Sequence, residues 1–252
     1  MFLNKRQIKK LTSWSVFLFD TLYPIQCLGC KTGTNYLCNK CSNSIPTNNN
    51  SRCPICHKNS PWGKLCQECK PNNSLDGVFS AYNYKHPLIK QLITTLKYNF
   101  IRSVDKDIGL LIDKSISEYS KYFSQDEIPK IFRKEIDVTI IPVPLHKFRE
   151  RWRGFNQSNE IAKNIKYWPK AKLEFNTLKR IKYTKQQAKL NKNKRTKNTK
   201  NAFQVQGDQK NKTIILVDDV ASSKSTLNEC ARILKNKGAK SVWSIVFAHQ
   251  AE

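Results

Sequence analysis

The chain has 252 residues, 39% of them apolar, enough for one large domain or two smaller ones. No run of about 18 apolar residues occurs, which excludes a membrane-spanning helix. Lys and Arg number 45 against 19 Asp and Glu, and the formal charge of +26 attracts polyanions, nucleic acid above all, in a salt-dependent way. Richness in Lys, Asn and Ile beside only 8 Gly also suits an AT-rich genome, so charge alone defines no function.

Residues 1–24 read as an amphipathic lead-in helix. The apolar run Trp14–Phe19 is short, ends at Asp20 and lacks a small-residue cleavage pattern behind it, so a docking helix is expected rather than a secretory signal. Residues 25–72 form a loop-rich module with almost no long apolar runs, too small to fold on hydrophobic burial alone. Eight of the nine cysteines stand here as four C-x-x-C knuckles: Cys27/Cys30, Cys38/Cys41, Cys53/Cys56 and Cys66/Cys69. Each knuckle offers two thiolates to a tetrahedral metal, so four knuckles complete two structural zinc sites. A disulfide framework needs an oxidising compartment; without an export signal, a reduced cytoplasm and zinc are expected. Sequential pairing puts Cys27, Cys30, Cys38 and Cys41 on one ion and Cys53, Cys56, Cys66 and Cys69 on the other, while spacing also permits interleaved knuckles. His57 is a bystander in this scheme, and Cys230, inside a predicted helix, is a small core residue.

An α/β domain is expected over 76–252. Val78–Tyr84 alternates as a half-buried strand, and helical spacing of Leu and Ile covers 87–98 and about 104–122. Asp137–Ile141 is a short buried strand stopped by Pro142, and 156–167 is a helix capped by Asn156. The Lys-, Asn- and Gln-rich stretch from about 180 to 201 lacks apolar periodicity and reads as a mobile loop. Strand 213–217, helix 225–237 and strand 241–247 complete an alternation that argues for a mostly parallel sheet.

Where strand 213–217 ends, Asp218 and Asp219 follow directly, then Ser222, Ser223, Lys224, Ser225 and Thr226 lead into a helix. Open parallel sheets bind ligands at the carboxyl ends of their strands. A helix start with free N–H groups and hydroxyls is a phosphate cradle, and two acids beside it can accept bonds from sugar hydroxyls. The pair thus reads as a ribose clamp for a sugar phosphate. Two plainer readings stand beside it: a helix cap, or a seat for Mg²⁺ alone.

This stretch resembles the phosphoribosyl pyrophosphate (PRPP) motif of type I phosphoribosyltransferases, an apolar strand, two acids and a Thr-Thr-Gly-x-Thr-like loop. Together with the cysteine module, the whole chain resembles the ComF family, the competence protein F group. Leu96-Lys97-Tyr98, Ile141-Pro142-Val143-Pro144-Leu145-His146 and Arg153-Gly154-Phe155-Asn156-Gln157 are similar to elements of that family. Thr184, Gln187, Leu190, Arg195, Asn198, Ala202 and Phe203 fall on the spacing of its flexible loop. One departure is the family's Thr-Thr-Gly, here Ser222-Ser223-Lys224: the hydroxyls remain, but a glycine that lets phosphate approach the backbone is lost.

The resemblance implies a sheet of the type I phosphoribosyltransferase kind behind a small double zinc ribbon. It implies PRPP bound with Mg²⁺, Asp218 and Asp219 on the ribose, Ser222 to Thr226 on the 5′-phosphate, and Val143, Pro144, Leu145 and His146 beside the pyrophosphate. The loop carrying Thr184, Gln187 and Arg195 would close over the site. Arg149, Arg151 and Arg153 form a run of alternate cations around Trp152, a pattern suited to nucleic-acid backbone and stacked bases, or else a solvated helix face. The function implied is single-stranded DNA handling in DNA uptake, with uptake-machinery proteins as partners. The alternative is a metabolic transferase passing phosphoribosyl to a base or amine.

Overall fold

The structure is a computed structural model and describes residues 25–98, 104–182, 199–221 and 224–249. The predicted lead-in helix over 1–24 lies outside the described residues. The chain divides at Ile45/Pro46 into a small and a large compact unit. In the small unit, helix α1 (Asn39–Ser44) begins at Cys38, whose sulfur accepts from the Cys41 amide at 3.4 Å.

The large unit is built on a five-stranded parallel sheet in the order β1-β7-β6-β2-β3, with β1 at Gly77–Asn83, β2 at Thr139–Pro142, β3 at Lys172–Leu173, β6 at Thr213–Ala221 and β7 at Ser241–His249. A separate antiparallel pair joins β4 (Leu178–Arg180) to β5 (Phe203–Val205). Helices α2 (Pro87–Tyr98), α3 (Val104–Ser120), α4 (Lys147–Arg153), α5 (Gln157–Asn164) and α6 (Ser225–Asn236) fill the connections. Ile214 to Val217 are fully buried, as a strand covered on both faces requires. α5 packs on β6 and β2, and α3 packs on α2, α5 and β1. α3 and α5 approach closely because residue 109 is glycine: a Cβ there would sit 2.6 Å from Asn164 Cβ.

β1 departs from the half-buried strand expected of Val78–Tyr84. It is an edge strand, yet its first six residues are all buried. Residues of the cysteine-rich segment cover it. The Asn50 amide gives and takes bonds with the Ser80 backbone (3.0 and 2.8 Å), and the Asn48 amide donates to Ala81 O at 2.9 Å. Those groups would otherwise be an open ladder. From the same segment Trp62, 1% exposed, inserts among Phe79, Tyr119, Phe123 and Phe132, stacking on Phe132 at 4.7 Å.

β6 also runs further than expected, through both acids to Ala221. β7 supplies the reason, continuing the ladder with Asp218 opposite Val246 and Ala221 opposite His249. On its other side β6 loses its neighbour. β2 ends at Pro142, the Val143 amide donates the last bond to Val217 O at 2.9 Å, and Pro144 has no N–H to offer. From β6 the chain proceeds to β7 on one side, and from β2 to β3 on the other. The gap between β2 and β6 is therefore the topological switch point of the sheet, where open α/β folds place ligands.

Candidate functional site

Two groups of four thiols stand ready for metal: Cys27, Cys30, Cys38 and Cys41 in the small unit, and Cys53, Cys56, Cys66 and Cys69 in the large one, each with sulfurs within 4.8 Å of one another. Sequential pairing is thus what the fold adopts, and His57 belongs to neither set. A tetrahedron with Zn–S bonds of about 2.3 Å has sulfurs about 3.8 Å apart. Cys30–Cys38 at 3.7 Å and Cys56–Cys66 at 3.5 Å match it, so both sets fit structural zinc. Amide bonds prepare the thiolates. Burial alone would raise Cys53, but the N–H groups of Cys56, Cys66 and Ile55 bring it down to about 7. Thr32, through hydroxyl and backbone, brings Cys30 to about 6.

The second set is part of the main core. Cys53 is fully buried in one cluster with Leu216 of β6 and with Leu227, Cys230, Ala231 and Leu234 of α6, and Cys56, Cys66 and Cys69 pack against it. Cys230 is the small core residue expected of it. Just behind the last knuckle, the Ser74 and Leu75 amides donate to Asn228 Oδ1 of α6 at 2.8 and 3.2 Å.

At the switch point, strand alternation gives the two acids different neighbours, though their carboxyls still hydrogen-bond to one another. Asp218 is in phase with Ile214 and Leu216, which pack toward α6. It is half-buried, and its Oδ1 accepts from Ser158 Oγ at the start of α5 and from the Asp219 amide, both at 2.9 Å. Asp219, 4% exposed, turns to α2 and meets Lys97 Nζ at 2.5 Å through Oδ2. Burial and then the Asp219 charge push Asp218 up to about 8. Burial opposes ionisation of Asp219 too, but Lys97 overrides it and holds that carboxyl below its ordinary value. Lys97 is likewise raised: burial disfavours its charge, and Asp219 outweighs burial.

These opposite shifts carry opposite linkage. Asp218 binds its proton more tightly folded than unfolded, so it withdraws stability as pH climbs from about 4 toward about 8. Asp219 contributes stability that is lost as pH falls through its depressed pKa. Asp218→Asn should therefore flatten the decline of melting temperature between pH 5 and pH 8 in thermal scans, at about those limits; an unchanged slope would contradict the assignment.

The turn Val143, Pro144, Leu145 and His146 borders the gap. Asn156 Nδ2 holds Val143 O at 3.1 Å while its Oδ1 accepts from the Ser158 amide, so Asn156 is the cap expected of it and also ties the turn to α5. His146 caps α4, accepting from the Phe148 amide at 3.3 Å. Burial, then Arg180, Arg149 and Lys147, holds His146 below its ordinary pKa, a sign of concentrated positive charge. Arg149, Arg151 and Arg153 alternate in sequence but lie on a helix, so Arg149 and Arg153 share one side, both half-buried, and Arg151 is exposed elsewhere. Arg153 donates to Gln157 Oε1 at 2.5 Å. Trp152 is 63% exposed, and the helix brings Phe148, 68% exposed, beside it.

Lys224 is the N-cap of α6, with Ser225 and Thr226 in its first turn; Ser222, Ser223, Thr184, Gln187 and Arg195 lie outside the described residues. The stem of the loop is fixed at β4–β5, and the Asn201 amide donates to Glu229 Oε1 of α6 at 2.8 Å. Lys97, Ser158, Phe148 and Arg180 were not singled out from the sequence as site residues. Lys97 had a visible signal, a lysine directly after Leu92, Ile93 and Leu96 on the buried face of a helix.

A parallel sheet with paired acids beside a helix start at its switch point, together with two four-thiol metal sites, defines a phosphoribosyltransferase-like protein with zinc ribbons. Residues 153–252 match the phosphoribosyl transferase domain and residues 18–70 the double zinc ribbon domain. The chain is 28% identical over 240 residues to competence protein F of Haemophilus influenzae, covering 90% of this chain and 98% of that protein. It is 27% identical over 211 residues to the DNA utilization protein YhgH of Escherichia coli O6:H1 (82% and 87% covered), and 26% identical over 214 residues to competence protein ComFC of Bacillus subtilis strain 168 (80% and 79%). The chain is homologous to these competence and DNA utilization proteins over most of its length. No helix among the described residues is long and apolar enough to cross a membrane.

Proposed function

We propose that the crevice between β2 and β6 binds PRPP, and that this chain handles single-stranded DNA in DNA uptake or utilisation, in the reducing cytoplasm that its thiols call for. The observation that carries the reading is Asp218, half-buried at the switch point amid cationic side chains: Lys97 and Arg153 act on its neighbour Asp219, and Asp218 itself acts on Arg180. An acid for sugar hydroxyls surrounded by positive charge for phosphates is what a phosphorylated pentose needs. The start of α6, from Lys224 to Thr226, serves the 5′-phosphate, and the turn Val143–His146 the diphosphate. Magnesium would arrive on the diphosphate and neutralise part of its charge.

Calorimetry with PRPP and Mg²⁺ tests the site; no binding would overturn it. Pyrophosphate release on adding a nucleobase would instead mark a metabolic transferase. The names of the relatives, competence and DNA utilization proteins, support the DNA part. So does α4, whose exposed Phe148 and Trp152 stand on a helix that also carries Lys147, Arg149, Arg151 and Arg153. Base stacking is worth about 1–3 kcal/mol per base. Phe148→Ala/Trp152→Ala is thus expected to weaken oligonucleotide binding by roughly tenfold or more in anisotropy titrations at low salt. Equal binding by wild type and variant would remove α4 from the DNA path.

A further inference from the structure

The large unit carries a second concavity, at the end of the sheet away from the β2–β6 crevice. The segment Lys64–Lys70, which includes the last knuckle, runs beside the entry to β1. There the Leu65 amide donates to Asp76 O at 2.9 Å, Lys64 bridges Gly77, and the Asp76 amide donates to Val242 O of β7 at 2.8 Å. A groove of about 290 Å³ results, lined by Lys64, Leu65, Gln67 and Lys70 of the ribbon and by Asp76, Ser241 and Trp243 at the strand starts. Only glycine fits at 77, because a Cβ there would collide with the Trp243 ring. Small-molecule and cofactor sites measure about 300–1,000 Å³, so this groove suits one large side chain better than a cofactor.

The charge around the groove is one-sided. Asp76 is the acid that lines it, and it is already taken: Lys70 and Lys235 pair with it, and its Oδ2 accepts from the Val242 amide at 2.6 Å. Two cations on one carboxylate leave a surplus positive charge. Lys64 and Lys240, the latter directly before Ser241, are both exposed and have no acid partner among the described residues. Glu68, in the same segment, is held by Lys58 at 2.5 Å. The surplus is a local feature, since α3 carries Asp105, Asp107, Asp113 and Glu118 against only Lys106 and Lys114. A small pit with a cationic rim complements an acidic segment bearing one apolar anchor. A nucleobase would need an exposed ring to stack on. Trp243 is 6% exposed and meets Phe132 edge-on at 5.3 Å, so nucleic acid would find here only charge.

We propose that this groove is a protein-docking site for an acidic peptide segment of a partner. One large apolar side chain enters beside Leu65 and Trp243, and flanking carboxylates meet Lys64 and Lys240. The site stands apart from the phosphoribosyl crevice and does not depend on that reading.

The probe is a short fluorescein-labelled peptide of Glu and Asp around a single Phe, titrated into the zinc-loaded full chain by anisotropy and stopped flow. Saturable binding is expected. Replacing its Phe by Ala should weaken binding by roughly tenfold, chiefly through faster dissociation, as losing a buried aromatic anchor does. Lys64→Glu/Lys240→Glu should slow association by roughly tenfold at low salt. Lys85→Glu/Lys90→Glu makes the same charge change on exposed lysines at the far end of the sheet, and should alter association by no more than about twofold. Gln67→Trp fills the groove from an exposed position and should make the Phe and Ala peptides bind alike. Equal affinity of the two peptides for the wild type, or equal losses in the two charge-reversed proteins, would reveal only general attraction to a chain of charge +26 and overturn the proposal. An oligonucleotide of equal charge that binds more tightly than the Phe peptide, and is weakened by Lys64→Glu/Lys240→Glu alone, would give the face to nucleic acid and overturn it too. Should Gln67→Trp not fold, the two charge-reversed proteins and the peptide pair decide.

Discussion

Replacing Cys66 by serine is expected to unfold the large unit, whereas Cys38→Ser leaves that unit folded. Structural zinc contributes about 10–16 kcal/mol of apparent folding free energy in zinc-finger peptides. A whole domain is stable by only about 5–15 kcal/mol. In this chain the second thiol set shares its core with β6 and α6, and residues beside it cover the edge of β1 and stack on Phe132. Losing its ion therefore removes support from the sheet and from α6 packed on it. Circular dichroism melts of the two variants, with zinc release followed by a chromogenic chelator, make the comparison. A Cys66→Ser protein melting within about 2 °C of wild type, a shift worth no more than about 1 kcal/mol, would contradict it.

Lys97→Met is expected to destabilise the large unit by about 3–5 kcal/mol, the usual cost of leaving one member of a buried pair without its partner. Exposure decides the magnitude: with side chains 20% and 5% exposed, this pair is far less screened than Lys58–Glu68, at 61% and 67%. A surface pair like the latter is worth about 0–1 kcal/mol. Urea denaturation of Lys97→Met measures the difference, and a loss below about 1 kcal/mol would show that water screens the pair.

Much of this architecture was legible because local chemistry dictates it. Four knuckles at short spacing announce two metal sites, and the fold takes the sequential pairing of the two that spacing allowed. The helices at 87–98 and 225–236 follow their apolar spacing, and Asn156 caps α5 as its side chain allows. α5 stops at Asn164 rather than 167, and the following chain instead places Tyr167 and Trp168 against carbonyls of Phe132 and Ile131. What stayed hidden depends on contacts far apart in sequence. Nothing local says that β7 will carry β6 past two aspartates, residues that ordinarily shun strands. The short strands β3, β4 and β5 have too few residues to show a period. Arg149, Arg151 and Arg153 look equivalent on paper until a helical turn separates them. The adjacency of the two acids was visible, but Lys97 and Ser158, which they meet, lie on other elements.

The union of the second ribbon with α6 bears on how the protein comes to exist. Ser74 and Asn228, which join the two, are 154 residues apart. At about 5–20 residues per second, a ribosome needs roughly 8–30 s between emitting one and the other. Through that interval the nascent ribbon has no helix to lie on, and a bound ion is what can keep its knuckles closed for the arriving carboxyl-terminal half. Zinc supply during translation, rather than afterwards, would then set how much of this chain matures and how much is lost to proteolysis.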